Sequence, residues 1–199
     1  DDLRASIGSG AMAMPNPTAG QRRSDTLPGG FVRYEHDMGS ALGWYAGIGH
    51  AARMPDYWEL FSPNRGPAGA ANAFAGVQPE HTTQLDAGLQ YRRGNLEAWA
   101  SAYAGRIDDY ILFDYMGGGM MGSITRARNI DADIAGGELG VDWKAREGLK
   151  LSGVLAYAWG RTDEGALPQM PPLEVRLSAS GEHAAWSWGA LLRIAAAQD

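Results

Sequence analysis

Met116, Met120 and Met121 share one glycine-rich stretch, and Met12 and Met14 share another irregular one. A thioether sulfur is a soft donor and selects Cu(I) among the available metals. The same side chain is also an adaptable packing residue, so residue type alone admits both uses. The four histidines are His36, His50, His81 and His183, with no pair at i, i+4 spacing and none beside the methionines in sequence. They read as structural, and His36, His50 and His81 fall near strand ends, where an amphipathic ring is tolerated. Asp108-Asp109 and Asp131/Asp133 do not fit an EF-hand loop. Gly117-Gly118-Gly119 lacks the Lys-Ser/Thr of a phosphate loop and reads as a flexible tip. There is no Ser-His-Asp arrangement and no metalloprotease motif, so the reading is not an enzyme, with no bound cofactor.

The elements that must position these residues are set by the turns. Connections are short at Asp37–Ala41, long at Met54–Gln78, short at Arg92–Asn95 and long at Asp108–Ile124. They continue short at Ala145–Leu149, long at Arg161–Pro172 and short at Glu182–Ala185. The segments between them run ten residues or more with a period near two. Brief turns on one side and long loops on the other are the pattern of a transmembrane β-barrel wall.

Glu80–Arg92 carries the pattern most cleanly. Glu80, Thr82, Gln84, Asp86, Gly88, Gln90 and Arg92 form one alternate set; His81, Thr83, Leu85, Ala87, Leu89 and Tyr91 form the other. A charge on a lipid face costs up to about 2–4 kcal/mol at mid-membrane, so the first set must meet water or polar groups and the second can meet lipid. Leu149, Leu151, Leu155, Tyr157 and Trp159 repeat this against Lys150, Ser152, Ala156 and Gly160. Leu139, Val141 and Trp143 oppose Glu138, Asp142 and Lys144; Trp186, Trp188, Leu192 and Ile194 oppose Ser187, Gly189 and Arg193. In Phe31–Met38, Val32 and Tyr34 look outward and Arg33, Glu35 and Asp37 inward. Leu96–Asp109 is ambiguous: its alanines also suit a helix, and neither Leu96/Ala98/Ala100/Ala102 nor Glu97/Trp99/Ser101/Tyr103 is assigned to lipid. Tyr91, Trp143, Tyr157, Trp159, Trp186 and Trp188 cluster near segment ends, as interfacial girdles do.

The expected fold is therefore all-β, an antiparallel up-and-down transmembrane barrel segment of eight strands plus a partial one at Leu3–Ile7. Taken by itself it should be an open, curved sheet. With 28 glycines in 199 residues and no cysteine, the chain suits turns and curved strands and has no disulfide framework. A net charge of −6 argues against nucleic acid as a partner. The opening Asp-Asp-Leu-Arg is not a signal sequence; both ends read as those of a fragment.

Arg53-Met54-Pro55-Asp56-Tyr57-Trp58-Glu59-Leu60-Phe61 resembles a motif of the TonB-dependent outer-membrane receptors, in which a strand ends in Arg-x-Pro before Glu-Leu-Phe. Pro79-Glu80 with Thr83 and Leu85, Ile107-Asp108-Asp109-Tyr110-Ile111, Asn129 with Ala135-Gly136-Gly137-Glu138-Leu139, and Pro171-Pro172 before Leu173 resemble further motifs of that family, in the same order. Met14–Thr18, Gln21–Leu27, Phe31–Glu35, Met54–Pro63 and Ile111–Tyr115 through Met121 are similar to its copper-receptor branch. The resemblance implies a barrel of about 22 strands around a plug, of which residues 1–199 are part of one barrel domain with no plug. It implies an outer-membrane location with lipid around the wall, and active uptake of copper or a metal complex. It also implies TonB, with its inner-membrane energising complex, as a partner through an N-terminal segment absent here. Met116, Met120, Met121, Met12 and Met14 are the candidate ligands for copper as transported cargo. A siderophore receptor, a small structural or adhesive membrane barrel, and a soluble all-β binding module are the alternatives.

Overall fold

The computed structural model describes residues 2–4, 20, 22–61, 76–116 and 124–197. Its strands are β1 (Asp2–Arg4), β2 (Arg22–Ser24), β3 (Gly30–Met38), β4 (Leu42–Arg53), β5 (Glu80–Arg93), β6 (Leu96–Met116), β7 (Ile124–Arg146), β8 (Leu149–Thr162), β9 (Gly165–Ala166), β10 (Glu174–His183) and β11 (Trp186–Ala195). A single five-residue helix, α1 (Tyr57–Phe61), is described, and no described helix could cross a membrane. The long strands pair in the order β11-β10-β8-β7-β6-β5-β4-β3, with β9 folded back on β8. This is an antiparallel up-and-down meander with β3 and β11 at its edges among the described residues, the fold class the periodicity predicts. The chain divides into two compact units. One is Asp1–Gly30, His50–Thr82 and Ile107–Ala132; the other is Phe31–Gly49, Thr83–Arg106 and Asp133–Asp199.

Period two sets the second unit. β10 pairs with β8 from Glu174↔Ala156 to Gly181↔Leu149, and with β11 from Glu174↔Ala195 to His183↔Trp186. The short turns need backbone that L side chains rarely adopt: Gly39, Gly94 and Gly148 stand at φ 77°, 57° and 72°. Adjacent hairpins are stitched at that end by backbone bonds from Arg92 N to Ala41 O (2.7 Å) and from Lys144 N to Asn95 O (2.9 Å).

Among the described residues of this unit the apolar face is open. Leu85 is 59% exposed, Leu139 54% and Leu192 53%. So many leucines in water would be a large uncompensated cost; the face needs an apolar solvent. The opposite face holds the polar contacts. Trp99 Nε1 donates to Glu138 Oε1 (3.0 Å), Lys150 pairs with Asp142 (2.9 Å), Arg193 Nε donates to Glu174 Oε2 (2.7 Å), and the Arg33 guanidinium lies 3.8 Å above the Tyr45 ring. These contacts settle Leu96–Asp109. It is strand, its Trp99 and Tyr103 belong to the polar face, and Ala100 and Ala102 line an apolar hollow with Ala87, Leu89 and Leu139. Aromatic rings fill the space above glycines on neighbouring strands. A Cβ at Gly140 would stand 2.0 Å from Trp99, at Gly136 2.6 Å from Tyr103, and at Gly88 2.4 Å from Tyr45.

Two expectations are corrected. Leu3 and Arg4 do lie in a strand, but β1 pairs with β2 in a separate two-stranded sheet rather than joining the wall; residues 5–7 lie outside the described residues. The connection read as a long loop at Asp108–Ile124 is mostly ladder, since β6 runs to Met116 and β7 starts at Ile124. The reason is a register change. Asp109 has φ 60°, as a bulge residue does. Before it the odd residues Trp99 and Tyr103 share the polar face; beyond it Asp114 pairs with Arg128 and Ile111 turns to Val77. A strict period-two count across the bulge loses the strand.

Candidate functional site

Most of the buried apolar residues among those described, including Met54, Leu60, Val77, Ile111, Ala127 and Ala132, lie in the first unit. This small core anchors the ends of the strands that lead into the long loops. Its centre is a clamp made by the Arg53–Phe61 segment. Asp56 caps α1: its Oδ1 accepts from Glu59 N (2.8 Å), and Glu59 Oε2 accepts from Asp56 N (2.7 Å), a reciprocal capping box. Arg53 closes β4 and grips Glu59 with both terminal nitrogens (2.9 and 3.0 Å) while its Nε donates to Glu80 (2.7 Å). Glu80 opens β5, and its other oxygen accepts from Ile111 N (2.7 Å). Leu60 is fully buried beneath. One guanidinium thus ties β4, α1, β5 and β6.

The electrostatics follow from that geometry. The Glu80 hydrogen bond, then the Glu59 one, raise the Arg53 pKa, so the cation is fixed. Tyr110, past the bulge on β6, has its phenol pKa raised, first by burial and then by the Glu80 charge. Asn129 on β7 completes the frame by pairing with backbone. Its Oδ1 accepts from Gln78 N (2.7 Å), and its Nδ2 donates to Gln78 O (3.0 Å) and Asp109 O (2.6 Å). Arg23 donates to Asp25 (2.6 Å) and to Val77 O. These groups bond chiefly to one another and to backbone, an arrangement that braces the strand ends.

Met12, Met14, Met120 and Met121 lie outside the described residues, and of Met116 only the backbone, at the end of β6, is described. Among the described residues no group of three or more His, Asp or Glu could hold a metal ion. The structure does bring two histidines together. His50 of β4 and His81 of β5 stack with ring centroids 5.7 Å apart and 25° between planes. His36 instead stacks on Tyr34 (6.3 Å) beside Trp44, and His183 stands in register with Trp186. The sequence holds no local sign of the His50–His81 meeting; only the strand register produces it.

Residues 5–198 match the family described as TonB dependent receptor-like, beta-barrel. The chain belongs to that family. Among solved structures, this receptor barrel is similar to one titled copper transporter OprC, at 56% identity and a TM-score of 0.85, covering 92% of this chain and 29% of that one. It is also similar to the siderophore receptor PirA from Pseudomonas aeruginosa (18% identity, TM-score 0.59, 81% of this chain and 34% of that one). The FrpB iron transporter from Neisseria meningitidis, F3-3 variant, resembles it at 18% identity and a TM-score of 0.56, over 80% of this chain and 24% of that one. The last two share the fold alone. No curated protein matches the chain. The chain spans about a third or less of the length of those structures. Membership explains the exposed leucines: the outer face of a receptor barrel is solvated by the outer membrane. Along β6 the outward positions Leu96, Ala98, Ala100, Ala102 and Ala104 give way to Arg106, paired with Asp133 (3.6 Å), where that apolar band ends.

Proposed function

We propose that this chain is part of the barrel domain of an outer-membrane importer that takes up copper, energised through TonB and its inner-membrane complex. The observation that carries the reading is 56% identity to a copper transporter over 92% of the chain. The two Met-bearing stretches supply soft donors suited to Cu(I). In this reading Met116, Met120, Met121, Met12 and Met14 capture the ion at the barrel mouth. The Arg53–Glu59–Glu80 clamp and Asn129 hold the loop bases in place while loops and plug exchange cargo. TonB acts through a segment outside these residues, and movement of the plug opens the path. The siderophore alternative is supported only by likeness of fold.

The test is copper uptake by the complete receptor with Met116, Met120 and Met121 changed to Ala, and separately with Met12 and Met14 changed. Reduced uptake with normal receptor levels in the membrane is expected. Unchanged uptake and affinity in both would remove these residues from the account.

A further inference from the structure

We propose that His50 and His81 form a bis-imidazole site for a divalent transition-metal ion on the outward face of the β4–β5 pair, distinct from the methionine stretches. The two residues lie on adjacent antiparallel strands. His50 follows Leu42, Trp44, Ala46 and Ile48 in the outward set of β4, and His81 opens the outward set of β5 before Thr83, Leu85, Ala87 and Leu89. Both are therefore at the end of the apolar face where the long loops begin. Their ring centroids stand 5.7 Å apart. With metal–nitrogen bonds of about 2.0–2.1 Å, and each ring nitrogen about 1 Å from its centroid, two imidazoles that share one ion have centroids roughly 4.5–6 Å apart. The observed spacing lies inside that range, so rotation of the rings suffices to converge two nitrogens without moving the strands.

The ladder between β4 and β5 makes the pair a preorganised chelate, since neither backbone has to be ordered on binding. Two neutral imidazoles suit Cu(II), Ni(II) and Zn(II), with Cu(II) bound most strongly in the order of divalent affinities. The remaining coordination positions belong to water, which suits an exchangeable docking point. Glu80, the nearest carboxylate in sequence, faces the other way and is committed to Arg53 and Ile111. The inference does not rest on copper as the cargo, because a paired imidazole binds these ions whatever the receptor imports.

The test uses the complete receptor in detergent with Cu(II) alone, read by electron paramagnetic resonance for nitrogen coupling, and with Ni(II) alone, read by calorimetry. His50→Asn and His81→Asn are each expected to remove the two-nitrogen signature. Each should weaken Ni(II) binding by at least about tenfold, since even partners outside the coordination shell contribute 10–100-fold to metal affinity. His36→Asn, at a histidine that stacks on Tyr34, should leave both readouts unchanged. A nitrogen signature and a Ni(II) affinity that persist in both histidine variants would overturn the site. So would their absence from the unsubstituted receptor. Because copper uptake is measured separately, a failure here leaves the uptake proposal standing, and the reverse also holds.

Discussion

Arg53→Met removes the guanidinium and keeps a long apolar stem. Three charge-assisted hydrogen bonds are lost, one to Glu80 and two to Glu59. Such bonds contribute about 1.5–3 kcal/mol each when well buried. The Arg53 side chain is 46% exposed, so the figure is discounted toward the roughly 0–1 kcal/mol of surface pairs. Against that, the carboxylates it leaves behind are only 9% and 12% exposed, and unpaired buried charge is costly. Each carboxylate retains a backbone amide partner, Asp56 N for Glu59 and Ile111 N for Glu80. The net cost is about 2–4 kcal/mol, felt locally at the loop bases. That corresponds to a roughly 30- to 1000-fold rise in local opening. Hydrogen exchange of the complete receptor reads it at the amides of Glu59, Leu60 and Ile111, which donate to Asp56 Oδ1, Asp56 O and Glu80 Oε1. Protection at these amides within about twofold of the unsubstituted receptor would refute the clamp as the element that holds α1 and β6 to the strand ends.

Asn129→Ala should cost about 1–3 kcal/mol, because it removes three hydrogen bonds, to Gln78 N, Gln78 O and Asp109 O; faster proteolysis of the segment preceding β5 checks it, with Asn129→Asp intermediate. Gly140→Ala places a methyl 2.0 Å from Trp99 and should cost about 1–3 kcal/mol of thermal stability; in a Trp99→Ala background that cost should vanish, a non-additivity read by a double-mutant cycle. Tyr110 has a folded pKa raised above its ordinary value of 10.0. Its contribution is therefore fully present below that value and lost as pH rises through the folded one. Unfolding temperatures of the receptor and of Tyr110→Phe, compared from about pH 9 to 11, should diverge, the unsubstituted receptor losing more.

Much of the wall is legible in the chain because polarity and period coincide there. Leu85 and Leu89 against Gln84 and Asp86 need only alternation to be assigned, and the glycines of the short turns mark where it stops. Leu96–Ala104 is not legible in that way. Alanine is compatible with either face, and the deciding contacts, Trp99 to Glu138 and Trp99 over Gly140, come from a distant strand. The ladder beyond Asp108 is hidden by a single bulge, which inverts the alternation on which the reading depends. At the loop bases the motif residues Arg53, Glu59, Glu80 and Asn129 stand out in sequence by resemblance. Their bonding does not, since Arg53 joins Glu59 to Glu80, which lies 27 residues on, and Asn129 reaches the backbone of Gln78 and Asp109, contacts that only the strand register creates. The histidines show the same limit, since His50 and His81 become partners only through the register of two strands.

The partition of the two faces is tested most directly by single cysteines placed from Thr82 to Gln90 in a cysteine-free complete receptor; this chain itself contributes none. Each is spin-labelled in lipid and its collisions with oxygen and with a water-soluble nickel chelate are measured. Labels at 83, 85, 87 and 89 should favour oxygen, as hydrocarbon-facing sites do, and those at 82, 84, 86 and 88 should not. Loss of that two-residue rhythm, or nickel access at Leu85 and Leu89 equal to that at Gln84 and Asp86, would contradict a membrane-spanning wall.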